Sequence, residues 1–238
     1  MRYNLAMEKE KIYRPDVQRL ASGNEPADGY DASGADLAGL SLPAMSFRGA
    51  VLKGTDFEDS NLAGCDFTGA DLTGANLSGC NLTGAVFRQA VLEGAGLSFC
   101  DVAGSDFSGA DLQRAKFHLS NLSGSTADGA DFTGADLTQA DCGACRFQSA
   151  KLAGVNAYGA SFVRADFTNA VVENCEFTKA DFTAAVLAGA HLGGSAFYNA
   201  NLTAADLEGA DLTEAKFDGA DMHRVKGKPR PASIQRGP

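Results

Sequence analysis

Hydrophobic and polar positions alternate along most of this chain with a period of five residues. From Leu37 to Met222 a large apolar residue falls at nearly every position numbered with a final 2 or 7, and these 38 central positions hold 18 Leu and 14 Phe. A small residue precedes each central one by two positions, and Gly often follows it by two, as in Ala70 to Gly74. This period fits neither an α-helix nor a long strand. The pattern predicts a chain that turns a corner every five residues, with the large and the small residue pointing inward.

A second period of twenty residues predicts the number of sides. Phe67 and Phe87 follow Phe47 at this interval, and leucines form a similar column. Four sides then close one coil, and each coil pairs its backbone with the next. The 38 units make about 9.5 coils, a rod roughly 45 Å long at a strand spacing of ~4.8 Å. We expect softer packing around residues 125–158, where small residues such as Ala127 and Ala157 take central positions.

Residues 35–222 resemble the pentapeptide-repeat family, because the unit recurs 38 times without a break in register. The resemblance implies an all-β fold, a right-handed quadrilateral parallel β-helix. It also implies a function, since some members imitate DNA and bind a type II topoisomerase, DNA gyrase or topoisomerase IV, modulating it or protecting it from quinolone antibiotics. Such members often dimerise through an apolar C-terminal helix, whereas the end of this chain offers only Ile234. A monomer and a homodimer both stay open.

Changes in composition divide the chain into three segments. Residues 1–29 lack the period and include a predicted short helix from Pro15 to Gly23, with Pro in the first turn and Gly after the end. We expect this segment to cap the open first coil; the alternative is a helix that docks a partner or a second copy. Residues 30–225 form the β-helix. Residues 226–238 form a basic, proline-containing tail that we expect to be disordered.

Charge narrows the range of partners. The net charge of −10 disfavours direct binding of nucleic acid or of an anionic membrane. No apolar run is long enough to span a bilayer and no secretory leader is visible, so the expected location is the cytoplasm. Residues 35–225 carry 24 acidic and 11 basic side chains. This excess suits either DNA mimicry or simple solubility, and the candidate acidic row on one side is Asp101, Asp141, Asp181 and Asp221.

One face also carries exposed aromatic and apolar residues. Phe99 and Leu119 are twenty residues apart and occupy outward positions, and His118, Tyr158 and Tyr198 share their face. Such residues on a soluble rod indicate a partner-binding face. The alternative is drift at a tolerant outward position.

Neither catalysis nor metal or cofactor binding is predicted. Cys142 and Cys145 have a C-x-x-C spacing, but both occupy inward positions, and no further zinc ligands are apparent. We expect buried, reduced thiols. The three histidines are scattered and the Asp ladder faces solvent. The sequence thus favours a non-enzymatic protein. It is either a DNA mimic that binds a type II topoisomerase, or a scaffold or regulatory module that binds a protein through the aromatic face or the N-terminal segment.

Overall fold

The computed structural model describes residues 9–227, and its backbone pairs with itself at a fixed separation of twenty residues. Parallel bridges join the residue before each central position to the residue twenty further on, from Lys11 with Asp31 to Asp206 with Lys226. Each central N–H then donates to the following coil, as Leu72 N does to the carbonyl of Val91 at 2.7 Å. Each side of a coil contributes one bridging residue in place of a longer strand, and four sides complete one coil of a solenoid.

A tight turn forms every corner between sides. Ala75 N donates to the carbonyl of Leu72 at 2.9 Å, and the same bond recurs in most coils. The third turn residue has a positive φ at every corner from Gly29 to Arg224, which is typical of a type II turn. Gly74 adopts its φ of 63° without steric cost because it has no Cβ. The corner therefore favours Gly two positions after the central residue, although residues such as Gln89 and Arg114 also adopt this conformation.

The core consists of the central residues and the small residues stacked along the solenoid axis. The rings of Phe67, Phe87 and Phe107 lie nearly parallel, with centroids 5.0 and 4.8 Å apart. Ala127 interrupts this column, but it is buried, and the ring of Phe132 lies nearby in the core against Phe147 at 5.6 Å. Softer packing over residues 125–158 stays a prediction.

Hydroxyl and thiol groups at the small-residue position remain hydrogen-bonded inside the core. Ser120 Oγ donates to the carbonyl of Leu97 at 2.6 Å and accepts the N–H of Cys100 at 3.1 Å, so the hydroxyl completes the turn of the preceding coil. Cys100 Sγ in turn donates to the carbonyl of Leu77 at 2.8 Å. Among the described residues every buried side-chain nitrogen and oxygen has a partner. A small polar residue can therefore replace Ala here without leaving an unpaired group.

Helix α1 (Arg14–Ser22) lies at the N-terminal end. The Tyr13 N–H donates to the carboxylate of Asp16 at 3.0 Å, which satisfies one of the free donors at the helix start. Val17 and Leu20 are buried in the same apolar cluster as the solenoid core. The capping role of this segment, and the domain boundaries at residues 29 and 225, stay predictions.

The C-terminal end of the described solenoid is open. Met222 is 38% exposed, and Leu212 and Phe217 are only partly buried. Gly227 falls where the next central residue would stand, so the apolar ladder ends at Met222. The basic tail predicted from residue 226 onward lies outside the described residues, apart from its first two positions.

Candidate protein-binding site

The residues that the sequence singled out for a partner form a line along one corner of the solenoid. Phe99 is 62% exposed, Leu119 47% and Tyr158 37%, while His118 and Tyr198 are partly exposed. All five occupy the two outward turn positions of the same side. Phe99 lies in one coil and His118 and Leu119 in the next, while Tyr158 and Tyr198 follow at intervals of two coils. We call these five residues the corner ridge.

The backbone beneath the ridge is in a conformation that usually requires glycine. Phe99 has a φ of 61° and Leu119 a φ of 55°, and a non-glycine residue in this left-handed region costs roughly 1–2 kcal/mol. Elsewhere in the described chain, non-glycine residues with positive φ are alanine, polar or charged. The same corner of two successive coils thus carries a large apolar side chain on left-handed backbone, and backbone strain of this kind is often found at functional sites. Glycine is absent from the sequence at both positions, which is the signal by which this strain could have been predicted.

A ring contact links the first two coils of the ridge. The ring of Phe99 stands edge-on to the ring of His118, with centroids 5.7 Å apart and planes at 86°. Side chains at this corner position reach toward the next coil, since a Cβ added to Gly159 would lie 3.6 Å from Cγ of Gln139. The ridge therefore runs parallel to the solenoid axis.

A lysine lies beside Tyr158 in the second half of the ridge. Lys179 Nζ lies 5.4 Å from the centroid of the Tyr158 ring. A hydrogen bond with Tyr158 raises the pKa of Lys179 above its usual value. The cation therefore lies within the range of a cation–π contact with the exposed tyrosine ring.

The candidate acidic row borders the ridge. Asp101, Asp141 and Asp181 each accept the N–H two residues further along at 2.8–3.2 Å, and Asp221 does so at 2.9 Å. Each carboxylate therefore closes its own local turn, a structural role. None of these four carboxylates takes part in the ion pairs found among residues 9–227. Their charges remain available to a partner.

Other aspartates are neutralised by basic residues across coils. Arg88 Nε lies 2.6 Å from Asp106 Oδ2, and Arg48 Nη1 lies 2.7 Å from Asp66 Oδ2. Burial raises the pKa of Asp106, but hydrogen bonds from Ser108 and the Arg88 guanidinium outweigh it and hold the pKa below its usual range. On this side of the solenoid, paired charges reduce the acidic field that DNA mimicry would need.

The six cysteines lie within the core of the described solenoid. All six are free and buried. Burial raises the pKa of Cys65, Cys80, Cys100 and Cys175 to about 12. Cys142 and Cys145 both lie inside the coil, as the sequence predicts. Among residues 9–227 no group of three His, Cys, Asp or Glu side chains could hold a metal ion, and no helix there is long and apolar enough to cross a membrane.

A shallow groove of about 350 Å³ lies beside the end of α1. Ala21 and Pro26 line it from the N-terminal segment, and Pro43, Ala44 and Met45 line it from the first coil. The alternative prediction, that this segment docks a partner, would place the contact here.

Comparison with known proteins identifies the repeat. A family model described as pentapeptide repeats matches in eight copies. The matches together cover residues 33–141 and 145–226. No curated protein matches the sequence.

Solved structures of similar proteins include a regulator and a resistance protein. HetL from the cyanobacterium Nostoc sp. strain PCC 7120, a pentapeptide repeat protein involved in regulating heterocyst differentiation, is 24% identical with a TM-score of 0.57, over 90% of this chain and 94% of its own. A pentapeptide repeat protein from the Arabidopsis thaliana thylakoid lumen is 30% identical over 50% of this chain and 68% of its own, with a TM-score of 0.35. QnrB1, a plasmid-mediated fluoroquinolone resistance protein, is 22% identical over 82% and 94%, with a TM-score of 0.27. Together with the repeats, the likeness to HetL shows a right-handed β-helix.

Proposed function

Since the chain belongs to the pentapeptide-repeat family, we propose that it is a non-enzymatic module that binds a protein partner through the corner ridge. The observation that carries the proposal is the pair of exposed apolar side chains, Phe99 and Leu119, held on left-handed backbone. We also propose a cytoplasmic location, which is supported by the six unpaired thiols.

Several properties of the ridge suit protein recognition. Aromatic residues dominate the energetics of protein interfaces because they bury a large area for little loss of side-chain freedom. Phe99 and Leu119 adjoin each other on successive coils, and Tyr158 and Tyr198 add polar hydroxyls further along. The rigid pairing of the coils fixes the spacing of these side chains before any partner arrives, which lowers the entropic cost of binding.

DNA mimicry towards DNA gyrase or topoisomerase IV is the second candidate function. Its support is the excess of 24 acidic over 11 basic side chains between residues 35 and 225, together with the unpaired carboxylates of the acidic row. B-DNA carries one charge per ~1.7 Å of axis, so a rod of about 45 Å would need roughly 26 negative charges. The net charge of this region is about half of that, which is why we rank mimicry second.

The ridge proposal is tested by comparing captured proteins. Immobilised native protein and the Phe99→Gly/Leu119→Gly variant are exposed to extract from the source organism. The control is Gln89→Gly/Ser149→Gly, which likewise removes two side chains from left-handed backbone, at the opposite corner of the solenoid. We expect one or more proteins to be retained by the native protein and the control but lost with the ridge variant. Retention that does not differ between the native protein and the ridge variant would refute the ridge as the binding site.

Mimicry has a separate test. Native protein and a variant with Asn at all four positions of the acidic row are titrated into a gyrase supercoiling assay across a salt series. Mimicry predicts inhibition that fades with salt and weakens in the variant. The absence of any effect at tens of micromolar protein would count against this candidate and leave the ridge proposal standing.

A further inference from the structure

Resting on the proposed function of the ridge, we propose that the bound element of the partner is a basic amphipathic α-helix that lies along the solenoid axis. The inference follows from the spacing of the ridge residues and from the position of the acidic row beside them.

The spacing of the ridge matches a heptad pattern. Phe99 and Leu119 are one coil apart, and Leu119, Tyr158 and Tyr198 follow at intervals of two coils. At ~4.8 Å per coil these intervals are about 4.8, 9.6 and 9.6 Å. In an α-helix, residues three apart rise about 4.5 Å and residues seven apart about 10.5 Å, and both pairs share a face. Helix positions 1, 4, 11 and 18 therefore match the axial spacing of the four side chains with a cumulative mismatch of about 1.5 Å. Around the helix they span a sector of about 100°, the usual width of the apolar stripe of an amphipathic helix.

An extended strand fits the ridge less well. Residues on one side of a strand recur every ~6.8 Å, and residues three apart, at ~10 Å, point to opposite sides. A strand along the axis thus cannot place same-side residues at successive intervals of ~9.6 Å. The mode of binding expected from the geometry is a helix laid on an apolar line, not the addition of a strand.

The charges beside the ridge indicate which side of the partner helix carries basic residues. Asp101, Asp141 and Asp181 lie two residues beyond the ridge corner and also recur at intervals of two coils, with neutral Asn121 and Ser161 between them. On the other flank Lys116, Asp136 and Glu176 mix both signs, and Lys179 stands on the ridge line itself, against the Tyr158 ring. Basic residues of a partner helix are therefore favoured only on the aspartate flank. A partner helix with Lys or Arg at heptad spacing on one side of its apolar stripe would meet all three aspartates in register with the apolar contacts.

The aspartates can be neutralised without disturbing the fold. Asn121 already accepts the N–H of Ser123 at 3.0 Å, which is the same local bond that Asp101 makes. The triple variant Asp101→Asn/Asp141→Asn/Asp181→Asn therefore keeps its turn acceptors. The control is Asp71→Asn/Asp111→Asn/Asp131→Asn, which makes the same change of charge on the opposite side of the solenoid. Because Asp71 and Asp131 are paired with Lys53 and Lys151, this variant also frees two lysines there.

The test uses three synthetic, fluorescein-labelled 18-residue peptides. The first has leucines at positions 1, 4, 11 and 18, lysines at heptad spacing on one flank, and alanine and glutamine elsewhere. The second replaces the lysines with glutamates, and the third has the composition of the first in an order that destroys the heptad. Binding is followed by fluorescence anisotropy at 50 and 200 mM salt, and the helix content of the peptide by circular dichroism.

We expect the first peptide alone to bind and to gain helix content on binding. Each exposed ion pair contributes roughly a factor of two to five in affinity, so the acidic-row variant, which loses three pairs, should bind roughly ten- to a hundredfold more weakly and lose the salt dependence. The opposite-side control should bind like the native protein.

The outcomes separate the two proposals. Equal binding of the lysine and glutamate peptides, still lost in Phe99→Gly/Leu119→Gly, would overturn the basic helix and leave the ridge as a docking site. Binding of the third peptide as tight as that of the first, or no binding of the first at 200 µM, would overturn the helical mode. Binding that the ridge variant leaves unchanged would overturn the ridge itself.

Discussion

Replacing Phe99 with glycine should leave the solenoid about as stable as before, although a large apolar side chain is removed. Phe99 is 62% exposed, so it buries little more than a third of its surface. Full burial of such a side chain contributes about 1.5–3 kcal/mol, and the partial contact here roughly 0.6–1.1 kcal/mol. Relief of the left-handed strain returns roughly 1–2 kcal/mol, while the added freedom of glycine in the unfolded chain costs about 0.5–1 kcal/mol. These contributions cancel to within about 1 kcal/mol.

Comparison with alanine isolates the strain. Phe99→Ala loses the same contacts as Phe99→Gly but keeps a Cβ on left-handed backbone, so it should be less stable than Phe99→Gly by about 0.5–1 kcal/mol. Phe107 is the core control, because it is fully buried and stacks on Phe87 at 4.8 Å. Phe107→Ala should cost about 3–5 kcal/mol.

The assay is urea unfolding of the three variants and the native protein, followed by far-ultraviolet circular dichroism at one protein concentration. If Phe99→Ala proves as stable as Phe99→Gly, or more stable, the left-handed conformation at this corner carries no cost. Backbone strain would then give no support to a functional role of this corner.

Two further predictions concern the core thiols and the turn aspartates. At pH 8 the native cysteines should react with a thiol reagent at least about a thousandfold more slowly than in urea. The reason is that burial raises the pKa of four of them to about 12, and the thiolate is the reactive form. Prompt reaction of even one equivalent in the native protein would contradict the buried core. For the aspartates, burial raises the pKa of Asp66, but the hydrogen bonds from Thr68 and Arg48 outweigh burial and lower the pKa. The stability that Asp66 adds is therefore present above its unfolded pKa of about 3.8. It is lost as the pH falls through the lower pKa of the folded state. Thr68→Val should therefore destabilise the protein more at pH 7 than at pH 2.5 in urea titrations. The control Thr83→Val removes a hydroxyl bonded to the neutral Asn81 at 2.8 Å, and its destabilisation should be the same at both pH values. A pH-independent effect of Thr68→Val would show that the carboxylate charge is not involved.

The register of the solenoid was predictable from the sequence because burial requires one large and one small apolar residue per side. A shift by one residue would place Leu72 in solvent and Asp71 in the core, so the period alone determines which residues face inward. The twenty-residue recurrence of Phe67, Phe87 and Phe107 likewise predicts stacked rings, and their nearly parallel planes agree.

Interactions between outward side chains were not predictable in the same way. The pair Arg88–Asp106 joins residues eighteen apart, and this separation depends on how each side chain leaves its corner. The insertion of Ser120 into the turn of the preceding coil has no counterpart in the periodic pattern, because Ala and Ser occupy the same small-residue position. The strain at Phe99 depends on the sign of φ, which the sequence shows only through the missing glycine.

The unbroken period has a consequence for how such a surface can change over evolution. Inserting a single five-residue unit between Leu119 and Tyr158 would rotate every later side by a quarter turn, so Tyr158 and Tyr198 would move to the adjacent face. Only insertions or deletions of whole twenty-residue coils would keep the two halves of the ridge aligned. Each such duplication would lengthen the ridge by ~4.8 Å. The length of an aligned binding surface on this solenoid can therefore change only in steps of one whole coil.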